Sequence, residues 1–191
     1  MLCKIDMVRK MIRSMTEDEL KIIYHQYMIN DFPDNERKPL NVIQSRHNKK
    51  ENYCICYFED NVMKGYSILE FCEENRSLLM DYFAIIPEYR NQGTGTRFLN
   101  EMKVYFYEWD ALFIESETAV TQTAEKRLCF YQKAGALISG DRVHLYHVDY
   151  EIMCISLKRQ ILNHEVKELM SQLYQKIYPK VFQKLYLRWV S

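Results

Sequence analysis

The chain has 191 residues, with 26 Lys and Arg against 26 Asp and Glu, so its formal net charge is zero. This length suits one domain, or one domain with an appendage, and 48% hydrophobic residues suffice for an ordinary packed core. A neutral chain has no overall attraction to nucleic acid or to an anionic membrane, so neither is predicted as a partner. The N-terminal stretch MLCKIDMVRKMIRSM lacks the apolar run of a signal peptide or membrane span, which predicts a cytoplasmic protein.

The first third of the chain reads as a weak strand followed by two helices. Residues Lys4 to Met11 are weakly strand-like. Thr16, with Glu19 three positions later, forms a capping box that predicts a helix to about Asn30. The two-proline loop DFPDNERKPL and a short helix to about His47 come next.

The middle of the chain alternates strands and helices. Three strands of a meander are predicted, the last of them stopped by Pro87, which lacks a backbone donor; their sequences are NYCICYF, VMKGYSILEF and SLLMDYFAII. Helical spacing follows over Thr94–Glu108, and Ala111–Glu117 is a short apolar strand. The segment TAEKRLCFYQKAGA is predicted to be a helix that ends at Gly135. A final pair of strands is predicted at Ala136–Ser139 and Val143–Leu157.

Antiparallel hairpins followed by one strand–helix–strand crossover predict an α+β fold around one mixed sheet, with parallel pairing across the crossover. Beyond residue 157 an amphipathic helical pattern continues and is broken by Pro179. We therefore expect a main domain over residues 1–157 and a helical C-terminal appendage over 158–191, which packs on the domain or forms a homodimer contact.

The six cysteines are scattered, and no CxxC pair occurs. They are interpreted as reduced core thiols. His144 and His147 lie at a spacing that puts them on opposite faces of a strand, so no metal site is predicted.

The stretch AIIPEYRNQGTGTRFLNEM, Ala84 to Met102, has the pattern of an anion site. A strand ends, a turn with Gly93 and Gly95 follows, and a helix begins, so that free N–H groups and the helix dipole favour a negative charge. Glycines allow a phosphate to approach the backbone, and Arg90 adds a cation. The Walker sequence Gly-Lys-Ser/Thr is missing, and Phe98 stands where a dinucleotide fingerprint needs its third glycine.

The same stretch resembles the acyl-CoA signature of the GNAT superfamily of N-acetyltransferases, Val/Ile-x-Pro-x-x-Arg-x-x-Gly-x-Gly/Ala. About forty residues later FYQKAGA resembles the family's Tyr-x-x-x-Gly-Phe, with Tyr131 and Gly135 in place and Ala136 where Phe is usual. The element order from residue 4 to 157 also resembles the GNAT fold. An Asn that often holds the pantetheine is replaced by Ala124, so Thr123 or Arg127 is expected to rebuild that contact, or it is lost.

The resemblance implies that acetyl-CoA is the cosubstrate and that the pyrophosphate rests on the cradle at the start of the helix. The pantetheine arm would run along Phe83 to Ile85, and the Ile85 N–H would serve as oxyanion donor. The implied cofactor-binding residues are Phe83, Ile85, Arg90, Gln92, Gly93, Thr94, Gly95 and Thr96.

The implied reaction is attack of a primary amine on the thioester through a tetrahedral intermediate. Tyr131 is the predicted acid, because a tyrosine near pKa ~10 lies only about 1.5 units above a thiol near ~8.5. Glu117 is the predicted base, on the same strand face as Glu115, with Asp81 a weaker candidate. A direct carboxylate base near ~4.3 is about six units below an amine near ~10.4, so it would need burial or a relaying water.

The acceptor would be a small molecule, a peptide or a protein, and the loop residues Asp31, Asp34 and Glu36 are candidates to hold a cationic group. The aromatic residues of the C-terminal tail are interpreted as packing rather than as a ligand site. The alternative to an enzyme is a non-catalytic acyl-CoA-binding or sensing module, which the replacement by Ala124 favours and the presence of Tyr131 opposes.

Overall fold

The computed structural model describes residues 9–145 and 148–190. The N-terminal half comprises β1 (Lys10–Ser14), α1 (Glu17–Ile23), a π-helical turn (Tyr24–Met28), α2 (Ile29–Asp31), α3 (Leu40–Asn48), β2 (Asn52–Glu59), β3 (Val62–Cys72) and β4 (Ser77–Ile85). After a 3₁₀ turn (Pro87–Tyr89), the second half comprises α4 (Thr94–Tyr105), β5 (Ala111–Glu117), α5 (Gln122–Lys133), β6 (Leu137–Leu145), β7 (Val148–Ser156), α6 (Asn163–Ile177), α7 (Lys180–Tyr186) and β8 (Arg188–Val190).

The described strands form one mixed sheet in the order β1-β2-β3-β4-β5-β7-β6-β8. Every neighbouring pair is antiparallel except β4 and β5, which are parallel as the crossover predicted. The β2–β3 hairpin turns on Asp60 and Asn61, whose φ angles of 49° and 64° are those of a two-residue turn that matches strand twist.

Helices cover both faces of the sheet. On one face α4 and α5 pack on a core that includes Tyr57, Phe98 and Leu128. On the other face α1 and α3 cover β2 to β4, whereas α6 crosses from the end of β3 to β6 and β7. This second face is therefore built from two separate helical layers.

The predicted α+β fold around one mixed sheet is confirmed. The Thr16–Glu19 capping box is present, β5 has the predicted bounds, and Gly135 ends α5 with φ of 92°. Pro179 separates α6 from α7 as expected.

Several boundaries were wrong. The first strand is Lys10–Ser14 rather than Lys4–Met11, of which residues 4–8 lie outside the described part, and α4 ends at Tyr105. The last two strands run to Leu145 and from Val148, because Gly140, at φ 83°, belongs to a bulge inside β6 and not to the turn between strands. The short strand β8 was not predicted.

The five cysteines in the described part of the chain are free thiols, and all but Cys129 are buried. Burial raises the pKa of Cys56 and of Cys154 to about 12, so these thiols stay protonated. This agrees with their interpretation as core residues.

Candidate active site

A seam opens in the middle of the sheet, where β4 and β5 part. The two strands pair only from Ser77 with Ala111 to Leu79 with Phe113, and then continue to Ile85 and Glu117 without pairing to each other. A bulge in β4 marks the point of separation, since Ile68 faces Tyr82 and Leu69 faces Met80, leaving Asp81 as the extra residue. A cavity of about 710 Å³ follows this seam.

The N-terminus of α4 lies at one end of the cavity. Gly93 caps the helix in the left-handed conformation, with φ of 73°, which favours glycine. Gly95 has an ordinary φ, and a Cβ there would lie 3.4 Å from the Phe130 ring, in ordinary contact. Gly93 thus supplies a backbone conformation, whereas Gly95 keeps the cavity free of a side chain.

Seven of the eight predicted cofactor-binding residues line the cavity: Phe83, Ile85, Arg90, Gly93, Thr94, Gly95 and Thr96. Gln92 is not among the lining residues. Its side-chain amide donates to the Glu88 carbonyl at 2.9 Å, and its own carbonyl accepts from Arg97 at 2.9 Å. Gln92 therefore shapes the turn before α4.

Arg90 is held at the mouth of the cavity by two contacts. Its Nε donates to the Ile85 carbonyl at 2.7 Å, and its Nη2 lies 2.5 Å from Asp31 Oδ1. Asp31 also accepts from the Tyr66 hydroxyl at 2.7 Å. The Arg90 cation is thus shared with a carboxylate, while Lys126 and Arg127 add positive charge along the cavity wall.

Tyr131 lies inside the cavity on α5. Thr121 caps the start of this helix, and its hydroxyl accepts from the Ala124 N–H at 3.1 Å. Within the described residues the Tyr131 hydroxyl has no hydrogen-bond partner, and burial raises its pKa to about 12. Ala124 is buried in the helix packing, whereas Thr123 and Arg127 line the cavity. Thr123 and Arg127, the two residues expected to replace the missing Asn, therefore both face the cavity, whereas Ala124 does not.

Two carboxylates of β5 line the other side of the seam. Glu117 Oε1 accepts from Arg127 at 3.2 Å. Glu115, two residues earlier, accepts a short hydrogen bond from the Tyr174 hydroxyl of α6. Burial raises the pKa of Glu115 to about 7, and the Tyr174 hydrogen bond opposes part of that rise.

Asp81, the weaker candidate for the base, belongs to a buried ionic cluster. Lys38 Nζ lies 2.8 Å from Asp81 and 3.0 Å from Glu70, which also accepts from Arg46 at 2.8 Å. Burial lowers the pKa of Lys38, but the attraction of Asp81 and Glu70 outweighs it and the net pKa is raised. Asp81 lines the cavity as the partner of a fixed cation.

The loop before α3 supplies only part of the predicted acidic wall. Asp34 is exposed and pairs with Arg37, and Asp31 pairs with Arg90. Glu36 does line the cavity; burial and the nearby Glu117 raise its pKa, although Tyr150 beside it acts in the opposite direction.

Tyr178, which follows α6, lines the cavity as well. The contact of the C-terminal segment with the seam through Tyr174 and Tyr178 was not predicted. The sequence places those tyrosines on an amphipathic stripe, and no local pattern relates them to a strand about sixty residues earlier.

Within the described residues, no group of three or more His, Cys, Asp and Glu side chains is arranged to hold a metal ion. Among the helices described, none combines the length and the apolar character that crossing a bilayer requires.

Residues 49–135 match the family described as Acetyltransferase (GNAT) domain. No curated protein sequence matches this chain. Solved structures with similar folds include a GNAT-family acetyltransferase from Bacteroides thetaiotaomicron, with a TM-score of 0.68 and 16% identity over 90% of this chain and 98% of that one.

Two further similar structures carry more specific descriptions. One is the ribosomal-protein-S18-alanine N-acetyltransferase from Escherichia coli, with a TM-score of 0.62 and 16% identity over 81% of this chain and 98% of that one. Another is spermidine N-acetyltransferase from Vibrio cholerae in complex with CoA and spermine, with a TM-score of 0.62 and 14% identity over 77% and 95%. At these identities the likeness concerns the fold.

The matched segment contains β2 to β5, the cradle at the start of α4, and Tyr131 on α5. The residues matched by the family model, the fold and the two sequence motifs all include the part of the sheet where β4 and β5 separate. Residues 49–135 therefore match a GNAT acetyltransferase domain, and the surrounding chain has the corresponding fold, as the resemblance of its sequence implied.

Proposed function

We propose that this protein transfers the acetyl group of acetyl-CoA to a primary amine of a small molecule, a peptide or a protein. The observation that carries the proposal is the seam between β4 and β5, which has a helix N-terminus at one end and Tyr131, Glu115 and Glu117 inside. The family match and the fold support acetyl transfer, and one neighbour was solved with CoA and spermine.

The residues of the seam suit the cosubstrate. Free N–H groups at the start of α4, together with Arg90, Lys126 and Arg127, would bind the phosphates. The edge of β4 that faces β5 is unpaired beyond Leu79, so it can hydrogen-bond the amides of the pantetheine arm. Ile86 donates to Lys64 on the β3 side at 2.9 Å, and because strand N–H groups alternate, the Ile85 N–H faces the seam. We propose that this N–H serves as the oxyanion donor.

During transfer the amine nitrogen forms a bond to the thioester carbon and the C–S bond breaks, so one proton must leave nitrogen and one must reach sulfur. We propose that the base is a carboxylate of β5 and that Tyr131 hydrogen-bonds the departing sulfur. An amine near ~10.4 lies only about 3.4 units above Glu115, roughly 5 kcal/mol, compared with about 8 kcal/mol for an ordinary carboxylate. The smaller pKa difference favours Glu115 as the base. Glu117, which the sequence predicts as the base, is paired with Arg127.

The test is a screen of candidate amines with acetyl-CoA, read as free CoA thiol. Thiol release that depends on the amine, with the acetylated product identified by mass spectrometry, is the expected result. Once an acceptor is known, Glu115→Gln and Glu117→Gln can be compared as a matched pair, and Glu115→Gln should lose about a hundredfold or more in turnover. If acetyl-CoA binds tightly and no amine is acetylated, the protein is a non-catalytic acyl-CoA-binding module.

A further inference from the structure

The C-terminal segment reaches into the seam through one hydrogen bond. The Tyr174 hydroxyl of α6 donates to Glu115 Oε1 on β5, and the Tyr174 side chain is only 1% exposed. In the described part of the chain, Tyr174 is the sole hydrogen-bond donor to the Glu115 carboxylate. A carboxylate that lines the cavity therefore depends on an element outside the matched acetyltransferase segment.

Contacts within the C-terminal segment fix the Tyr174 ring. Its centroid lies 5.8 Å from that of Tyr178 and 6.0 Å from that of Trp189. The Gln183 amide of α7 donates to the Tyr174 carbonyl at 3.3 Å and to the Tyr178 carbonyl at 2.7 Å. Trp189 belongs to β8, where it pairs with Val143 at the edge of the sheet. The segment is thus anchored on both sides of α7.

Other charged and titratable groups also face Glu115, but none of them holds its position. Asp81 of β4 opposes the negative charge on Glu115, whereas Lys38, from the loop before α3, favours it. These two groups form an ion pair with each other, so their effects at Glu115 act in opposite directions. Tyr150 of β7 also lies near the carboxylate. The Tyr174 hydroxyl differs from these groups because it makes a directional hydrogen bond to the carboxylate.

We propose that Tyr174 is a positioning residue for acetyl transfer, whose hydroxyl fixes the Glu115 carboxylate in the seam and governs how readily it takes up a proton. The proposal rests on the proposed function, since Glu115 is the favoured base there. If Tyr174 has this role, the C-terminal segment is part of the catalytic unit, because removal of the Tyr174 hydroxyl on α6 would change the position and the pKa of Glu115 on β5.

The first experiment follows Glu115 itself and needs no acceptor. Protein labelled with ¹³C at glutamate carboxyls is titrated by NMR, with the Glu115 signal assigned by its loss in Glu115→Gln. Tyr174→Phe keeps the ring and removes the donor, so the pKa of Glu115 should rise by about one unit, as expected for a lost hydrogen bond to a charged group. Tyr186→Phe makes the same chemical change in α7, away from Glu115, and should leave the titration unchanged.

The second experiment measures transfer with the amine found in the screen. In Tyr174→Phe we expect kcat to fall about tenfold, an unchanged KM for acetyl-CoA, and an acidic limb of the pH–rate profile moved to higher pH. In the Glu115→Gln background the same change should cause no further loss, because the residue through which Tyr174 acts is gone. Losses that multiply would show that the hydroxyl acts elsewhere and would overturn the proposal.

An unchanged Glu115 titration in folded Tyr174→Phe contradicts the proposal, whatever the activity. If Tyr174→Phe does not fold, 3,5-difluorotyrosine at position 174, a stronger donor of nearly the same size, should lower the pKa of Glu115, and no shift would overturn the proposal. Wild-type protein that acetylates no amine contradicts the proposed function instead, and the titration still tests the contact between Tyr174 and Glu115.

Discussion

Replacing Tyr131 by Phe isolates the role of one hydroxyl group in the seam. The ring would keep its contact with Phe130, whose centroid lies 5.0 Å away, so the packing of α5 should survive. The hydroxyl has no hydrogen-bond partner among the described residues, so its removal breaks no contact of the unliganded protein. We therefore expect Tyr131→Phe to fold normally and to bind acetyl-CoA with nearly unchanged affinity.

The size of the effect on turnover follows from burial. With the pKa of Tyr131 at about 12, complete proton transfer to a thiolate near ~8.5 is uphill by about 3.5 units, roughly 5 kcal/mol. The hydroxyl can still donate a hydrogen bond to the sulfur as negative charge develops, which is worth about 1.5–3 kcal/mol. Turnover of Tyr131→Phe should therefore fall between about tenfold and about a hundredfold.

The assay is single-turnover acetyl transfer from pH 7 to pH 10, with wild type and Tyr131→Phe measured side by side. Because a tyrosine with a pKa of about 12 stays protonated throughout this range, the ratio of the two rates should not depend on pH. A ratio that falls by about half at pH 10 would refute the burial argument, since the hydroxyl would then ionise near its ordinary pKa of ~10. Equal rates at every pH would show that the hydroxyl has no part in transfer.

Four further predictions concern binding and stability. Acetyl-CoA and CoA should each raise the melting temperature, because at a ligand concentration of a hundred times Kd binding stabilises the folded state by about 2.7 kcal/mol. An unchanged melting temperature would show that neither ligand binds at the start of α4. Gly95→Val should weaken CoA binding measured by calorimetry at least tenfold, about 1.4 kcal/mol, because a branched side chain enters the cavity. Gly93→Ala should instead lower the melting temperature, because the left-handed conformation at this position costs a residue other than glycine about 1–2 kcal/mol. Normal CoA affinity in folded Gly95→Val would place the phosphates elsewhere. Glu115→Gln should raise the melting temperature at pH 8 but not at pH 5. The folded wild-type protein retains the Glu115 proton to about pH 7, whereas the unfolded chain releases it near pH 4.5. The stability of the wild type therefore falls by up to about 3 kcal/mol as pH rises through this window, and the uncharged glutamine side chain of the variant avoids that loss. Equal shifts at both pH values would contradict a raised pKa.

Local patterns in the sequence predicted most of the fold. The Thr16 capping box, the strand Ala111–Glu117 and the stop at Gly135 each depend on a few neighbouring residues, and all three are present. The bulge at Gly140 and the strand Arg188–Val190 depend on the partner strand, which a linear pattern does not contain. The boundary drawn at residue 157 stays a prediction, although α6 packs on the same sheet as the earlier elements.

The candidate site divides in the same way. Arg90, Gly93, Gly95 and Tyr131 belong to motifs in which spacing carries the information, and the structure places all four along the cavity. Their partners come from distant segments, and Asp31, which pairs with Arg90, is an example. The environment of Glu115 could not be predicted for this reason, because its hydrogen-bond donor, Tyr174, comes from the C-terminal segment.

The parting of β4 and β5 has a consequence for hydrogen–deuterium exchange. Central strands usually exchange their amides most slowly, because opening them requires disruption of the core. Here the amides of residues 80–85 that face β5 have no ladder partner on that strand, while Ile86 and the residues paired with β3 are bonded. The middle of the sheet should therefore take up deuterium quickly in alternate positions along one strand. A bound molecule that supplies the missing ladder contacts would slow this exchange, and the amides that change would trace its path residue by residue.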